Sequence, residues 1–330
     1  MKRALLLGGL AGLGVVLVLV ARLGVSAVAE AVGSIGWLGF AAFTAYWLMV
    51  MAVLGAAWFM SAPGAGAARF GAFVWGRLLR EAASDVLPLS QLGGLVFGPR
   101  AVIGAGVPEA LAFASLLVDL AAEIAAQIIY TLLGMALFAL AMSGRAEGDG
   151  LWLALGGAGL MLAAVVGMLL GQRRLLAGLG RLARRWTPDA ARRADGVILE
   201  LDRIYARPAR LTAAVALHLV GWVGGSVASW MALRFMGAPA PLWAVIALES
   251  LMYAARNLAF AFPGGLGVQE AAYALLGPAC GIPAEQALAL SFLRRARDLV
   301  IGLPVLAVWQ AREGRILLRR LRRRSPKSSP

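Results

Sequence analysis

Long apolar blocks dominate the chain, at residues 4–21, 33–60, 110–142, 151–171, 211–233 and 239–262. A helix rising 1.5 Å per residue needs about 20 apolar residues to cross about 30 Å of hydrocarbon. Most of the blocks reach that length. Lipid leaves only helices and closed barrels with satisfied backbones, and runs of this length select helices. Composition agrees, with 61% apolar and 15% charged residues, against about 45–50% and about 25% in an ordinary soluble domain. The fold class read from the sequence is an all-α polytopic membrane protein. Residues 4–21 follow Lys2-Arg3 as a signal peptide would, but the run is long and further spans follow, so it is read as a retained helix.

Charge sets the expected topology. The formal net charge is +14, and of 31 basic residues only Lys2 and Lys327 are lysines. Residues 172–210 carry ten arginines, and residues 312–327 carry seven arginines and a lysine. By the positive-inside rule both stretches and the N-terminus face the cytoplasm, while residues 143–150 are external. This arrangement implies about eight passes. It also implies an integral domain over 1–311 and a basic, disordered cytoplasmic tail over 312–330. Within the arginine-rich loop, Thr187-Pro188 reads as a helix start followed by apolar residues at helical spacing, a surface-lying amphipathic helix. Residues 69–83 read as another. The basic stretches fit anionic lipid headgroups as partners rather than nucleic acid. Cys280 and His218 are each the sole residue of their type, so no disulfide framework, metal site or cofactor is expected. His218 reads as a packed or hydrogen-bonded residue. A phosphate-binding loop of the Gly-x4-Gly-Lys-Ser/Thr type is absent from the sequence, so no ATP-driven step is expected of this chain.

Two segments are apolar enough to enter the bilayer yet punctuated by Gly and Pro. One runs through Pro88, Gly93, Gly94 and Arg100 to Pro108, the other through Arg256, Asn257, Pro263, Gly264, Gly265, Gly267 and Glu270 to Pro283. Backbone freed at membrane depth must be satisfied by protein or water, so such re-entrant or discontinuous segments belong beside a cavity. With an offset of 175, Pro88 falls on Pro263, Gly106-Val107-Pro108 on Gly281-Ile282-Pro283, and Glu123 on Asp298. The helices that follow run in opposite senses in the expected topology. That is the pattern of an inverted repeat holding a site at its centre.

Charges inside the spans carry the rest of the reading. Asp119 and Glu123 lie four residues apart on one helical face, Glu249 and Arg256 two turns apart, and the last helix carries Arg294, Arg295, Arg297 and Asp298. Each would cost about 2.5–3.5 kcal/mol at a helix centre in lipid, so they should face one another or a hydrated interior. One arrangement has the glycine run and a helix beginning near Val268 present backbone N–H groups to a ligand, while Arg256 and an arginine of the last helix hold a polar headgroup. Asp119, Glu123, Glu249, Glu270 and Asp298 would balance those arginines. The other has the same charges pair internally and lock the helices together.

Pro263 through Glu270, preceded by Arg256-Asn257, resembles the hallmark of the lysylphosphatidylglycerol synthase transmembrane, or flippase-like, superfamily, and Pro88…Gly93-Gly94…Arg100 resembles its first-half motif. Within it, length, arginine bias and the stretch 256–298 look most like membrane proteins associated with hopanoid biosynthesis. The resemblance implies a bacterial inner-membrane protein that handles or translocates a lipid. It implies no lysyl transfer, which belongs to a separate soluble domain. The sequence thus leaves three functions open: a lipid translocator without chemistry of its own, a membrane enzyme acting on lipid headgroups, and a scaffold for lipid-biosynthesis proteins.

Overall fold

A computed structural model describes residues 17–20, 22, 25–86, 90–142, 188–258 and 266–324. The described residues fold as helices, with no strand among them. In chain order the helices are α1 (Val25–Ser34), α2 (Gly36–Met60), α3 (Phe70–Val86), α4 (Ser90–Gly104), α5 (Glu109–Met142), α6 (Pro188–Tyr205), α7 (Pro208–Phe235), α8 (Leu242–Leu258), α9 (Val268–Ala279) and α10 (Ala284–Arg324). Three of them, α2, α5 and α7, are long and apolar enough to cross a membrane. The expected spans at 4–21 and 151–171 lie largely or wholly outside the described residues, as does the loop at 143–150.

The 175-residue offset recurs in the elements themselves. Helices α2 and α7 end at Met60 and Phe235, α4 and α9 at Gly104 and Ala279, and α5 and α10 begin at Glu109 and Ala284. The turns repeat to the level of single hydrogen bonds. Gly106 and Gly281 take positive φ of 88° and 77°, the left-handed position that closes a helix. The N–H groups of Val107 and Ile282 then reach back five residues to the carbonyls of Val102 and Gly277. Pro108 and Pro283 follow, and their carbonyls accept from Ala112 and Ala287 at 2.9 Å each.

The two units are mutually inverted. Gly39 faces Phe235, Trp47 faces Gly225, Val50 faces Gly224 and Leu54 faces Gly221, so the equivalent helices α2 and α7 pack antiparallel about a point near Val50 and Gly224. The units also exchange partners: α3 of the first packs on α10 of the second, and α8 of the second on α5 of the first.

Within each unit two helices too short to span form a hairpin. Helices α3 and α4 have 17 and 15 residues, α8 and α9 have 17 and 12, roughly 18–26 Å at 1.5 Å per residue. Their Gly and Pro content is accommodated inside helices, with Pro99 in α4 and Pro278 in α9.

Two expectations change. Residues 69–83 do not form a surface helix: α3 is inserted between α2, α4 and α10, with Arg77 and Arg80 buried. Charged partners on α5 make that burial tolerable. Helix α10 continues to Arg324, and residues 325–330 of the expected tail lie outside the described residues. The amphipathic helix α6 forms as expected, but Leu201 and Ile204 are buried against Leu111 and Leu116 of α5 rather than lying free on a surface.

Candidate functional site

A cavity of about 260 Å³ lies between the two units, walled by α2, α3, α4, α5, α7, α8 and α10. Its position follows from the inversion: the α3/α4 and α8/α9 hairpins meet at the ends that point away from their Gly-Pro turns. There Arg256 of α8 donates to Asp85 of α3 and to Gln269 of α9, each at 3.4 Å. The tips themselves, residues 87–89 and 259–265, lie outside the described residues, and with them Pro88, Pro263, Gly264 and Gly265.

The walls are ion pairs made inside each unit. In the first, Arg77 of α3 grips Glu123 of α5 with two bonds of 3.1 and 2.7 Å and pairs with Glu81 at 2.7 Å. Arg80 donates to Asp119 at 2.9 Å and also pairs with Glu123. The spacing explains the fit, since arginines at i and i+3 on α3 face carboxylates at i and i+4 on α5. His218 of α7 completes the cluster from the other unit, with Nε2 2.8 Å from Asp119.

In the second unit, Arg294 of α10 pairs with Glu249 of α8 and donates to the hydroxyls of Tyr273 and Tyr253 at 2.7 and 2.5 Å. Tyr273 in turn donates to Glu249 at 2.5 Å. Arg297 pairs with its neighbour Asp298 at 2.7 Å and lies 3.9 Å over the ring of Trp47, across the boundary between units.

Of the residues singled out in the sequence, Gly94, Glu123, Arg256, Arg294, Arg297 and Asp298 line the cavity. Asp119 and Glu249 stand behind them, holding arginines in place. Gly267 and Glu270 do not line it. Gly267, at φ +80°, caps α9, and its N–H donates to the Glu270 carboxylate at 2.8 Å. That carboxylate also pairs with Arg295 and accepts from Ser291 at 3.3 Å. The expected role of this helix start as an open anion site is therefore replaced by a capping box that fills it from within the chain. Arg100 lies at the opposite end of its hairpin, in an exposed 3.2 Å pair with Glu313. Gly93 falls within α4 and Asn257 in the last turn of α8.

Sequence reasoning missed Arg77, Arg80, Glu81, Asp85, Trp222 and Tyr253, all of which line the cavity. The arginine–carboxylate spacing just described was the available signal for α3. Trp222 offered another, lying 175 residues after Trp47.

Residues 5–305 match the family model described as lysylphosphatidylglycerol synthase TM region. Comparisons with curated proteins and with solved structures returned no match.

Proposed function

The chain belongs to the lysylphosphatidylglycerol synthase transmembrane family, and from that premise we propose that it is a lipid translocator whose two inverted units pass a lipid headgroup through the cavity between them. One observation carries this reading: the paired hairpins end at a shared, charged cavity, where strong ion pairs stay within each unit. The contact between the hairpins, Asp85 with Arg256, is long and partly exposed. Inverted units whose hairpin ends meet at the cavity through this one long ion pair suit alternate opening to the two faces. On this reading the cavity sits near the midplane of a bacterial inner membrane, with both termini and the arginine-rich helix α6 in the cytoplasm, where α6 meets anionic lipid headgroups. A hopanoid, an isoprenoid lipid or a phospholipid is the cargo.

Reconstituted full-length protein should move a fluorescently labelled lipid between leaflets, measured as the fraction protected from a membrane-impermeant quencher. Arg256→Gln and Asp85→Asn should each slow this about tenfold, about 1.4 kcal/mol of barrier, because each removes a charge from the point where the hairpins meet at the cavity. Chemical turnover of lipid by protein in detergent, with no movement in vesicles, would replace the translocator with an enzyme.

A further inference from the structure

A second cavity, of about 560 Å³, shares no lining residue with the first. It lies at the corner where α6 turns into α7, against Gly64 beyond the end of α2 and Pro108 ahead of α5. We propose that it holds the headgroup of an anionic phospholipid, bound one per chain and separate from the cargo of the central cavity.

Its position favours a ligand that comes from the membrane. Helices α2, α5 and α7 are the three described helices long and apolar enough to span. At this cavity the first of them ends, at Met60, and the other two begin, at Glu109 and Pro208. Where spans end, hydrocarbon gives way to headgroups. The volume of about 560 Å³ falls within the range of about 300–1,000 Å³ of small-molecule pockets, and its exposed Gly64, Pro108, Arg203 and Arg207 are open to what enters.

The charges are arranged unlike those of the central cavity, where each lining arginine has a carboxylate partner. Here Arg203 pairs with Glu200 at 2.7 Å while its side chain stays 73% exposed. Arg207 is exposed and pairs with no carboxylate among the described residues. Two more arginines at this corner are in the same condition. Arg210 donates to the carbonyls of Phe59 and Met60 at 2.9 Å each, and Arg69 to those of Ala65 and Ala105 at 2.8 and 3.3 Å. Bonds to carbonyls leave their charge in place. Glu109, next to Pro108, offsets one of these three cations, and the surplus of the other two favours an anion.

The repeat supplies a control. At the 175-residue offset Arg69, Arg203, Arg207 and Arg210 fall on Ala244, Val28, Val32 and Ile35, all buried or half-buried. An apolar corner therefore satisfies the fold, and the arginines answer to something outside it. Setting topology calls for basic residues at this end of the spans, but not for placing them around a cavity. The planar guanidinium matches a phosphate with two parallel bonds, and Arg203 and Arg207 offer two such groups from one helix corner.

The test uses the full chain in phosphatidylcholine nanodiscs holding small, equal amounts of chain-matched phosphatidylglycerol and phosphatidylethanolamine, with retained lipid counted by native mass spectrometry. One phosphatidylglycerol per chain should be retained about tenfold over phosphatidylethanolamine, a difference of about 1.4 kcal/mol. Arg207→Gln and Arg203→Gln should each lower that retention about fivefold. Arg312→Gln should leave it unchanged. Arg312 lies at the same end, 5.2 Å over the ring of Trp75 in the second turn of α3, but outside the cavity. Equal retention of the two lipids, or an equal fall in all three variants, would reduce the site to diffuse attraction and overturn it. Displacement by excess inorganic phosphate at constant ionic strength would make free phosphate the ligand and overturn the lipid. Retention lost in Arg256→Gln but intact in Arg203→Gln and Arg207→Gln would place the lipid in the central cavity and overturn the site as well. Movement between leaflets, scored on the same protein in vesicles, keeps the two readings apart. Selective retention without movement upholds this site and removes the translocator, and movement without selective retention does the reverse.

Discussion

Asp119 has no exposed surface and is held between Arg80 and His218. Removing one member of such a pair strands the other, at a cost of about 3–5 kcal/mol, whereas replacing both with apolar residues of similar volume is often neutral. Asp119→Ala should therefore lower stability by about 3–5 kcal/mol, and Arg80→Met combined with Asp119→Leu should recover most of it. Thermal unfolding in detergent measures both, and a double variant weaker than the single would refute the pairing as the source. The shared face of Asp119 and Glu123 was legible in the sequence, as was His218 as a hydrogen-bonded residue. Their partners were not, because Arg77 and Arg80 read as the polar face of a surface helix until α5 was set against it. Residue by residue the repeat also reverses charge. Asp119 and Glu81 stand where the second unit has Arg294 and Arg256, which is why identity between the halves is so faint.

At the scale of elements, the hairpins depend on close backbone approach. A Cβ on Gly94 of α4 would lie 2.5 Å from the Ser84 hydroxyl and 2.9 Å from the Arg80 carbonyl, whereas one on Gly104 of the same helix meets nothing within 4 Å. Gly94→Ala should cost about 1–3 kcal/mol through overpacking, and Gly104→Ala should be neutral or slightly stabilising. Unfolding midpoints of the two variants check this directly. The turn joining α9 to α10 carries Cys280, whose thiol burial pushes up to about 11 from 9.0. A raised folded value means that the thiol's contribution to stability is complete below pH 9 and fades as pH climbs toward 11. At neutral pH the thiolate should be about 100-fold scarcer than in the unfolded chain. Maleimide labelling, followed by mass, should be slow in the native protein and fast after denaturation. The Gly-Pro turns were readable because their chemistry is local. The hairpins were not, since helix length in a Gly- and Pro-broken stretch is decided by the partner helix.

At the scale of the molecule, α4 belongs to one unit and α10 to the other, and they are bridged at the surface by Arg100 and Glu313, away from the cavity. If the units shift against each other, tying these helices should stop transport without touching the site. In a Cys280→Ser background, Arg100→Cys with Glu313→Cys should transport normally until joined by a short bismaleimide, and then lose about 90% or more of the rate, on the order of 1.4 kcal/mol. The leaflet assay reads the result, and undiminished movement after complete cross-linking would rule out relative motion at this boundary. The inverted arrangement was suggested in the sequence by the 175-residue offset, yet an alanine-rich chain shows such matches by chance. Antiparallel packing of α2 on α7 supplies what counting identities could not.

Among the described residues, the buried arginine–carboxylate pairs lie within one unit or the other, and this bears on how the chain is made. A ribosome delivers the first unit to the insertion machinery well before the second exists, and naked arginines at that stage would resist leaving water. Arg77 and Arg80 carry their counter-ions, Asp119 and Glu123, within the same stretch of chain, and Arg294 meets Glu249 likewise in the other. Each half can therefore partition into lipid as an electrically settled package, and two separately expressed fragments, 1–187 and 188–330, should assemble in the membrane after independent insertion.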